Sequence, residues 1–595
     1  MRLAASRRRF LEYCSSAGLA STLLPGVLWE KLLAQTAGQA PTPDALTAEM
    51  LASALAVAGL DFGEDERRQM LRGVQGSLRR YVERRTFAIG PDVAPPLYFS
   101  PLVPGMRVDR AARPFRPSPV SGLARPRRLD DLAFWPVLHL AHLIRTRQVT
   151  SVELTELFLA RLAAHGPALN CVITLTTDLA RAQARQADRD LAEGRHRGPL
   201  HGIPWGCKDI LAVPGYPTTW GSQAFRTRVI DTEAAVAARL REAGAVLVAK
   251  LSTGEMASGE YWFGGRTNNP WDVREGASGS SCGPAAATAA GLVAFAIGTD
   301  TGGSILFPAT RCGATGLRPT FGRVSRFGCM SLQWSRDRIG PICRTAEDCA
   351  LVFRAIAGPD DRDGSVQDVP VNWDAAMDVR TLRVGYLEPT GADEGRTAEW
   401  TAHDHATLDS LRALGVRLEP FELPRMRSEL AGAGVGAESS AYFEDVMQSG
   451  AARDFTNPTR ANGFRQGRLV PAVEYLQAQR IRAMLMRQHF ATVGRFDVYL
   501  APSNNPPLNP PGGSGGGVVP DSPRNLTRDH HDVSNVCGLP ALSVPNGFYG
   551  PGRPTSITFH GRPFGEAAVL ALAHAYQRAT DWHRRPPPPF APGAR

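Results

Sequence analysis

The stretch GASGSSCGPAAATAAGLVAFAIGTDTGGS, residues 276–304, decides the fold class of this chain. Pro284 suits the first turn of a helix over PAAATAAG, and Gly291 suits its end. The next segment, LVAFAIG, is a short apolar run that is typical of a buried strand. A helix that ends at glycine and leads into a buried strand indicates an α/β fold, in which helices flank a sheet.

The same order of elements recurs on both sides of this stretch. Thr150 and Glu153 form a capping box for a helix that is predicted to stop at Gly166. Thr232 is predicted to open a helix that ends at Gly244 and leads into the strand AVLVAKL. Further strands are predicted in RTLRVGYL and GVRLEPFEL. The alternation extends the α/β prediction over most of the chain.

An export signal is predicted at the N-terminus. The motif Ser6-Arg7-Arg8-Arg9-Phe10-Leu11 resembles the twin-arginine consensus, and a mildly apolar stretch follows it. We therefore expect residues 1–40 to be a twin-arginine-type signal peptide that the twin-arginine export machinery reads, so that the protein is exported to a periplasmic or other extracytoplasmic location. The alternative is a short membrane helix. Pro25 and Glu30-Lys31 interrupt the apolar run, so no stable membrane insertion is expected.

Three further segments follow the signal. Residues 41–130 are predicted to form an N-terminal extension, helical at first and proline-rich later, and residues 131–585 the main domain. Within the main domain, residues 502–517 are rich in Pro and Gly and are interpreted as a mobile loop or lid. Residues 586–595 are a proline-rich tail that we expect to be disordered.

Composition excludes several classes of function. The net charge is +10, but the arginines are scattered among Asp and Glu, so no nucleic-acid partner is expected. Nine cysteines show no CxxC pair, and the 13 histidines show no HExxH motif. We therefore expect no metal and no cofactor, and we interpret the cysteines after Cys14 as buried small hydrophobic residues. The sequence leaves the oligomeric state open.

One lysine is unusual. Of 67 basic residues only three are lysines, and one of them, Lys208, lies in GIPWGCKDI. Arginine stays charged at any working pH, whereas burial can make a lysine neutral and able to accept a proton. Lys208 is therefore a candidate base, and the alternative is a lysine that packs or forms an ion pair.

The glycine- and serine-rich segment offers two candidate nucleophiles. In GTDTGGS the glycines allow successive backbone N–H groups to point into one concavity, which could hold an oxyanion beside Ser304. The alternative is a plain glycine turn. Gly279-Ser280-Ser281-Cys282-Gly283 also fits G-x-S-x-G, the nucleophile elbow of α/β-hydrolases, with Ser281 as the attacking residue. The apolar strand that should precede such an elbow is missing.

Six separated motifs together resemble one family. They are GPLHGIPWGCKDI, SGSSCG, GTDTGGSILFPATRCGATGLRPTFGRVSRFG, DRIGPICRTAEDCAL, SNVCGLPALSVPNGF and PTSITFHGRPFGEA. Their order and spacing over about 131–585 are similar to those of the amidase signature family of serine hydrolases. The resemblance implies a mixed β-sheet core with helices on both faces, here with an N-terminal helical extension. It also implies that residues 131–585 form an amidase catalytic domain that cleaves linear amide bonds.

The family's catalytic unit can be placed on this sequence residue by residue. The resemblance implies that Lys208 is the base, that Ser280, held by a cis peptide, is the relay, and that Ser304 is the nucleophile. It also implies that backbone N–H groups from Thr301, Gly302, Gly303 and Ser304 hold the oxyanion. Lys250 matches a family lysine near the same element and is interpreted as structural.

Three departures from the family pattern affect the expected pocket. Leu306 stands where many members have arginine, and Cys282 and Pro284 replace a common glycine and a small residue. With Phe307 and Trp205, Leu306 indicates either an apolar surround of the site or part of the core.

The resemblance makes the expected activity hydrolysis of a small to medium carboxamide through an acyl-enzyme. Two alternatives stay open besides the elbow. One is an inactive exported binding protein with the amidase fold. The other is the transamidating subunit of a tRNA-dependent amidotransferase, if the protein is cytoplasmic.

Overall fold

The computed structural model describes residues 46–84, 97–389, 397–424, 426–431, 433–503, 526–550 and 552–593. The chain divides into two compact units, residues 1–90 and 91–595. The predicted signal, residues 1–40, and most of the proline- and glycine-rich loop at 502–517 lie outside the described residues.

The described part of the first unit consists of two helices. Helix α1 spans Ala48–Val57, and the side chain of Thr47 caps it by accepting a hydrogen bond from the Met50 N–H. Helix α2 spans Glu64–Arg84 and begins with three acidic residues, which interact favourably with the positive end of the helix dipole. The helical character predicted for this part of the extension is confirmed.

An eleven-stranded mixed sheet forms the centre of the second unit. The strands of this unit are β1 Val172–Leu175, β2 Pro204–Lys208, β3 Val246–Leu251, β4 Tyr261–Trp262, β5 Gly265–Arg266, β6 Asn268–Asn269, β7 Asp272–Gly276, β8 Phe295–Asp300, β9 Thr315–Arg318, β10 Arg338–Cys343, β11 Val384–Leu387, β12 Leu418–Phe421, β13 Val498–Pro502, β14 Ala541–Tyr549 and β15 Arg553–Gly561. The order in the large sheet is β1-β3-β2-β8-β10-β9-β14-β15-β13-β11-β12, and β4-β5 and β6-β7 form two small separate sheets. In the large sheet the parallel pairs are β2 with β3 and β8, and β11 with β12 and β13, whereas the other neighbours are antiparallel.

Helices cover both faces of the large sheet. Along β8, Phe295 and Ile297 belong to one apolar cluster and Ala296 belongs to another, as expected when successive side chains point to opposite faces. The mixed sheet with flanking helices that we expected is confirmed. The helices of this unit are α3 Val137–Arg145, α4 Ser151–Leu169, α5 Thr177–Ala192, α6 Ala235–Glu242, α7 Cys282–Ala289, α8 Leu306–Cys312, α9 Ala346–Ile356, α10 Ala398–Ala413, α11 Ala433–Tyr442, α12 Glu444–Gln448, α13 Pro458–Gly467, α14 Ala472–Val493, α15 Leu526–Val536 and α16 Glu566–Ala579.

Two helix boundaries differ from the sequence prediction. The capping box of Thr150 and Glu153 is present, but α4 continues past Gly166 and ends at Asn170, which adopts the left-handed conformation with φ of 48°. The Asn170 side chain donates hydrogen bonds to the carbonyls of Gly264 and Arg266, so tertiary contacts fix this end. Helix α6 begins only at Ala235, without a capping side chain, so the start predicted at Thr232 is wrong.

Residues 586–593 of the tail, the part that the structure describes, are ordered where disorder was expected. Phe590 is buried, and its carbonyl accepts a hydrogen bond of 2.8 Å from the Arg161 guanidinium. This buried ring and its hydrogen bond to Arg161 hold the tail in place despite its proline-rich composition.

The eight cysteines from Cys171 to Cys537 are free and all but Cys329 are buried, which confirms their interpretation as small core residues. Within the described ranges, no helix is both long and apolar enough to cross a membrane.

Candidate active site

Two neighbouring parallel strands bring the candidate base to one edge of the sheet. Lys208 is the last residue of β2, and Cys207 beside it pairs with Ile297 of β8. The carboxyl ends of parallel strands meet at the same edge, where α/β proteins bind ligands. This pairing brings the Lys208 side chain next to Thr299, near the end of β8.

The Lys208 amine nitrogen is surrounded by hydroxyl groups. Its Nζ lies 2.8 Å from Ser280 Oγ, 3.0 Å from Ser281 Oγ and 2.9 Å from Thr299 Oγ1. Its side chain is completely buried. Burial lowers the pKa of Lys208 from about 10.5 to about 8, because the charged form loses its hydration.

The three hydroxyls match a neutral amine, which has two N–H donors and one lone pair. Ser281 Oγ directs its proton to the carbonyl of Thr299, at 3.2 Å, and accepts from the Thr299 N–H, also at 3.2 Å. Ser281 can therefore only accept from the lysine. When the amine also donates to Thr299 Oγ1, its lone pair is left to accept a proton from Ser280.

Ser304 lies beside the buried pair of Lys208 and Ser280. The peptide bond between Gly279 and Ser280 is cis, as the family resemblance implies. The next N–H, that of Ser281, donates to the Ser304 carbonyl at 3.1 Å, which joins the two serine segments. Ser280 is buried, Ser304 is half-buried and Gly302 is exposed. The three predicted residues thus run from a buried lysine towards accessible space.

The geometry around Ser281 does not fit a nucleophile elbow. Its Oγ is buried and is already occupied by Lys208 and by the Thr299 backbone. The strand that precedes it, β7, pairs with β6 in a separate two-stranded sheet. An elbow serine instead stands exposed at the end of a central strand.

Asp300, to which the sequence alone assigned no role, fixes the turn Thr301–Ser304, which carries the candidate nucleophile and is called the nucleophile turn below. Its carboxylate accepts from the N–H groups of Gly303 at 2.8 Å and Ile305 at 2.9 Å, and from the Asn535 amide at 3.0 Å. Burial would raise the pKa of this carboxyl, but Arg318 and Arg338 outweigh it and lower the pKa to about 2. The Gly303 N–H is thus engaged within the turn, which leaves Thr301, Gly302 and Ser304 as the predicted oxyanion donors to test.

Asp337 holds the other side of the same turn. It accepts from Thr301 Oγ1 at 2.6 Å, from Ser331 Oγ at 2.9 Å and from the N–H groups of Leu332 and Gln333 at 2.7 and 2.9 Å. Asp300 lies within GTDTGGS, one of the motifs that carry the family resemblance, so its place in that motif is the signal that could have identified it.

Lys250 has a different environment. It is also completely buried, but its Nζ forms an ion pair of 2.7 Å with Asp209 and donates to Thr218 Oγ1 at 2.7 Å and to the Pro217 carbonyl at 2.5 Å. A buried ion pair of this kind is a structural contact, which agrees with the sequence interpretation of Lys250.

The residues that depart from the family pattern take different positions. Cys282 and Pro284 are buried in the first turn of α7, and Leu306 is buried in the apolar cluster that also contains Cys282, so these three are core residues. Trp205 is also core, stacked on Phe295 with ring centres 6.1 Å apart. Phe307, by contrast, is half-buried, and its ring packs against His531 with the ring centres 4.5 Å apart.

In the part of the chain that is described, no cluster of three or more His, Cys, Asp or Glu side chains is arranged to hold a metal.

Comparison with known proteins points to one family. A family model described as Amidase matches residues 153–570. A glutamyl-tRNA(Gln) amidotransferase chain of Methylococcus capsulatus is 37% identical over 475 residues, which cover 75% of this chain and 96% of that protein. The corresponding amidotransferase chain of Roseiflexus sp. is 36% identical over 474 residues, 74% of this chain and 95% of its own.

Solved structures agree with this result. The native peptide amidase from Stenotrophomonas maltophilia superimposes with a TM-score of 0.66 at 28% identity, covering 77% of this chain and 99% of that protein. The family match spans the candidate base, the relay serine and the nucleophile turn. The chain therefore belongs to the amidase signature family and is an enzyme that acts on amide bonds.

Proposed function

We propose that this enzyme hydrolyses a small to medium carboxamide to a carboxylate and ammonia or an amine, through an acyl-enzyme on Ser304. Ser280 and neutral Lys208 form the proton relay, and no metal or cofactor takes part. The observation that carries the proposal is the buried Lys208 Nζ, which lies 2.8 Å from Ser280 Oγ and whose hydrogen-bond partners in the described chain are all hydroxyl groups. A base needs a lone pair, and this environment supplies one near neutral pH.

In the first half-reaction Ser280 passes its proton to Lys208 Nζ and takes the proton of Ser304. Ser304 Oγ forms a bond to the amide carbon, and the carbonyl electrons move to oxygen. When they return, the C–N bond breaks, and the relay delivers its proton to the leaving nitrogen. Water then loses a proton to the same relay and attacks the ester. The ester C–O bond breaks, Ser304 takes the proton back from the relay, and the released carboxylic acid gives its own proton to water to become the carboxylate.

The tetrahedral oxyanion needs preorganised donors beside Ser304. We assign this role to backbone N–H groups of Thr301, Gly302 and Ser304, in the turn that Asp300 and Asp337 hold from two sides. Fixed donors stabilise the developing charge without reorganising during the reaction. Loss of one such donor typically reduces kcat by about 10²–10³-fold.

Labelling of the nucleophile tests the proposal. The purified protein is treated with a fluorophosphonate, and the modified residue is mapped by mass spectrometry, for wild type and for Lys208→Ala. We expect an adduct on Ser304 that forms in the wild type and is lost in the variant, which must keep the wild-type circular dichroism. An adduct on Ser281 would replace the relay by the elbow interpretation. A folded wild type without any adduct would favour the inactive binding protein.

A transamidating subunit is the second candidate, favoured by the 37% identity to an amidotransferase chain over 96% of that chain's length. Such a subunit works with partner subunits, so this candidate requires them. Isolation of a tagged chain from its own cells, followed by mass spectrometry, separates the two. Hydrolysis by the isolated chain supports the hydrolase. A stoichiometric complex that is required for glutamine-dependent activity would support the transamidase.

Export is a separate part of the proposal, supported by the twin-arginine-like motif alone. We expect the mature chain outside the cytoplasm. Replacing Arg7 and Arg8 together by lysine should retain it in the cytoplasm, as measured by cell fractionation and immunoblotting. Wild-type protein in the cytoplasmic fraction would contradict export and make the transamidating role the stronger candidate.

A further inference from the structure

A cavity of about 460 Å³ lies next to the candidate base. Ile210, two residues after Lys208, lines it together with Cys329, Met330 and Ser331. The same four residues also line a small recess that contains Thr299 and Thr301. Because Thr299 contacts Lys208 and Thr301 begins the nucleophile turn, the cavity adjoins the place where the amide would react.

Aromatic rings form much of the cavity wall. Trp220, Phe327, Trp334, Tyr442 and Tyr98 all line it. The Tyr442 ring lies 6.0 Å from that of Trp220 and 5.8 Å from that of Trp334, so the three form one continuous surface. Aromatic surfaces of this kind bind flat apolar groups through burial and ring–ring contact.

Trp220 is held in place against its own backbone preference. It adopts a φ of 56°, an uncommon conformation for a bulky residue. Backbone hydrogen bonds fix it on both sides, from its N–H to the Asp209 carbonyl and from the Met256 N–H to its own carbonyl. The Arg228 guanidinium lies over the indole ring at 3.6 Å. Strained residues that the surroundings hold firmly are concentrated at ligand sites.

The charges that line the cavity are already neutralised within the protein. Arg326 forms a two-point contact with Asp363, at 2.8 and 3.1 Å, and also donates to Ser365 Oγ at 2.8 Å. Arg362 pairs with Asp360 at 3.3 Å and covers the Phe327 ring at 4.3 Å. Among the lining residues, all of which are described, no charged side chain is left without a counter-charge for a substrate.

We infer that the cavity selects an uncharged amide that carries an aromatic group, and this rests on the proposed hydrolase function. The ring would lie against Trp220, Tyr442 and Trp334 while the amide reaches Ser304. A zwitterion such as glutamine brings an ammonium and a carboxylate, which would lose hydration without gaining partners in the cavity.

Substrate comparison tests the inference. Phenylacetamide, acetamide, 4-carboxyphenylacetamide and L-glutamine are compared by kcat/KM on the purified protein. We expect phenylacetamide to exceed acetamide by about 100-fold, because the ring removes apolar surface from water. The added carboxylate should reduce the value by at least about 100-fold. Equal or greater kcat/KM for acetamide or glutamine would overturn the inference.

Two matched tryptophan variants test whether the preference for the aromatic amide arises at the cavity wall. Trp334 and Trp271 are both half-buried, but Trp271 lies outside the cavity lining, where its indole contacts the Cys312 carbonyl and the Phe548 ring. Trp334→Leu should raise KM for phenylacetamide about tenfold with little change in kcat, because the ring loses part of its apolar contact, and should leave acetamide unaffected. Trp271→Leu should behave as wild type. Equal effects of the two variants on both substrates would overturn the assignment of the wall.

Labelling of Ser304 distinguishes failure of the cavity inference from failure of the proposed hydrolase function. If the fluorophosphonate modifies Ser304 but the substrate order is reversed, the cavity inference is wrong and the hydrolase proposal stands. If folded protein shows neither labelling nor cleavage of any amide, the proposed function fails and the substrate class fails with it.

Discussion

Two buried lysines on neighbouring strands have opposite surroundings. Lys208 ends β2 among three hydroxyls, whereas Lys250, on β3, forms an ion pair with Asp209. Both side chains are completely buried, and Cys207 and Lys250 are paired between the strands, so burial and secondary structure do not distinguish them. The difference is the presence of a carboxylate.

The comparison separates a lysine that forms an ion pair from a lysine whose surroundings suit the proposed base. A carboxylate partner offsets the free-energy cost of burying an ammonium group, so a buried ion pair can serve as a structural contact. Hydroxyl partners compensate it less, so the proton is released more easily, as the lowered pKa of Lys208 records. Arginine could take the first role, but its high pKa rules out the second.

Replacing the base should have the largest effect. Lys208→Met removes the proton acceptor, and we expect kcat to fall by about 10³–10⁴-fold while the melting temperature is kept or rises, since a buried amine is removed. Lys208→Arg should be equally inactive because a guanidinium cannot be deprotonated. Steady-state kinetics and calorimetry measure both. Wild-type turnover in folded Lys208→Arg would contradict the relay.

The matching change at Lys250 should act on stability. Lys250→Met leaves the Asp209 carboxylate buried without its counter-charge, and we expect a loss of about 3–5 kcal/mol in the free energy of unfolding. Denaturant titration measures it. The double variant Lys250→Met/Asp209→Leu should recover part of the loss. If Lys250→Met is as stable as wild type but inactive, the roles assigned to the two lysines are wrong.

The pH dependence of kcat should follow the deprotonation of Lys208. Because the proposed relay needs neutral Lys208, kcat should rise with pH and level off above about 8, falling about tenfold for each unit below that value. The sign is that of a base, whose protonation at low pH stops the reaction. Stopped-flow or steady-state assays between about pH 5.5 and about 9.5 measure the curve. A flat profile would mean that no group of this pKa limits the rate.

The smallest expected effect comes from one hydroxyl of the Lys208 shell. Thr299→Val keeps the shape of the side chain but removes the contact of 2.9 Å with Nζ. The ammonium loses one acceptor, so its pKa falls further and the midpoint of the pH profile should move to lower pH by about 0.5–1 unit. Plateau kcat should change less than about threefold, because the proton relay itself is intact. A shift to higher pH would show that Thr299 does not solvate the cation.

Motifs in the sequence were enough to nominate the three candidate catalytic residues, but not the residues that support them. Lys208, Ser280 and Ser304 could be placed from the family resemblance, and the flanking helix and strand followed from glycine, proline and apolar runs. Asp300 and Thr299 lie in one of these motifs, which marks them as candidates, but their roles depend on contacts with Asn535 and Lys208 that no local pattern predicts. The end of α4 was missed for the same reason, since Asn170 is fixed there by bonds to the 264–266 segment.

The bond between Asp300 and Asn535 spans 235 residues, and that between Arg318 and Ser534 spans 216. Contacts of such long range cannot form on a growing polypeptide until the distant segment has left the ribosome. The nucleophile turn therefore reaches its final shape only when most of the protein has been synthesised. A nascent or prematurely terminated chain carries all three candidate catalytic side chains in its first 304 residues and still lacks the C-terminal contacts to Asp300 and Arg318. Any activity that needs this turn is therefore expected only when synthesis of the chain is nearly complete.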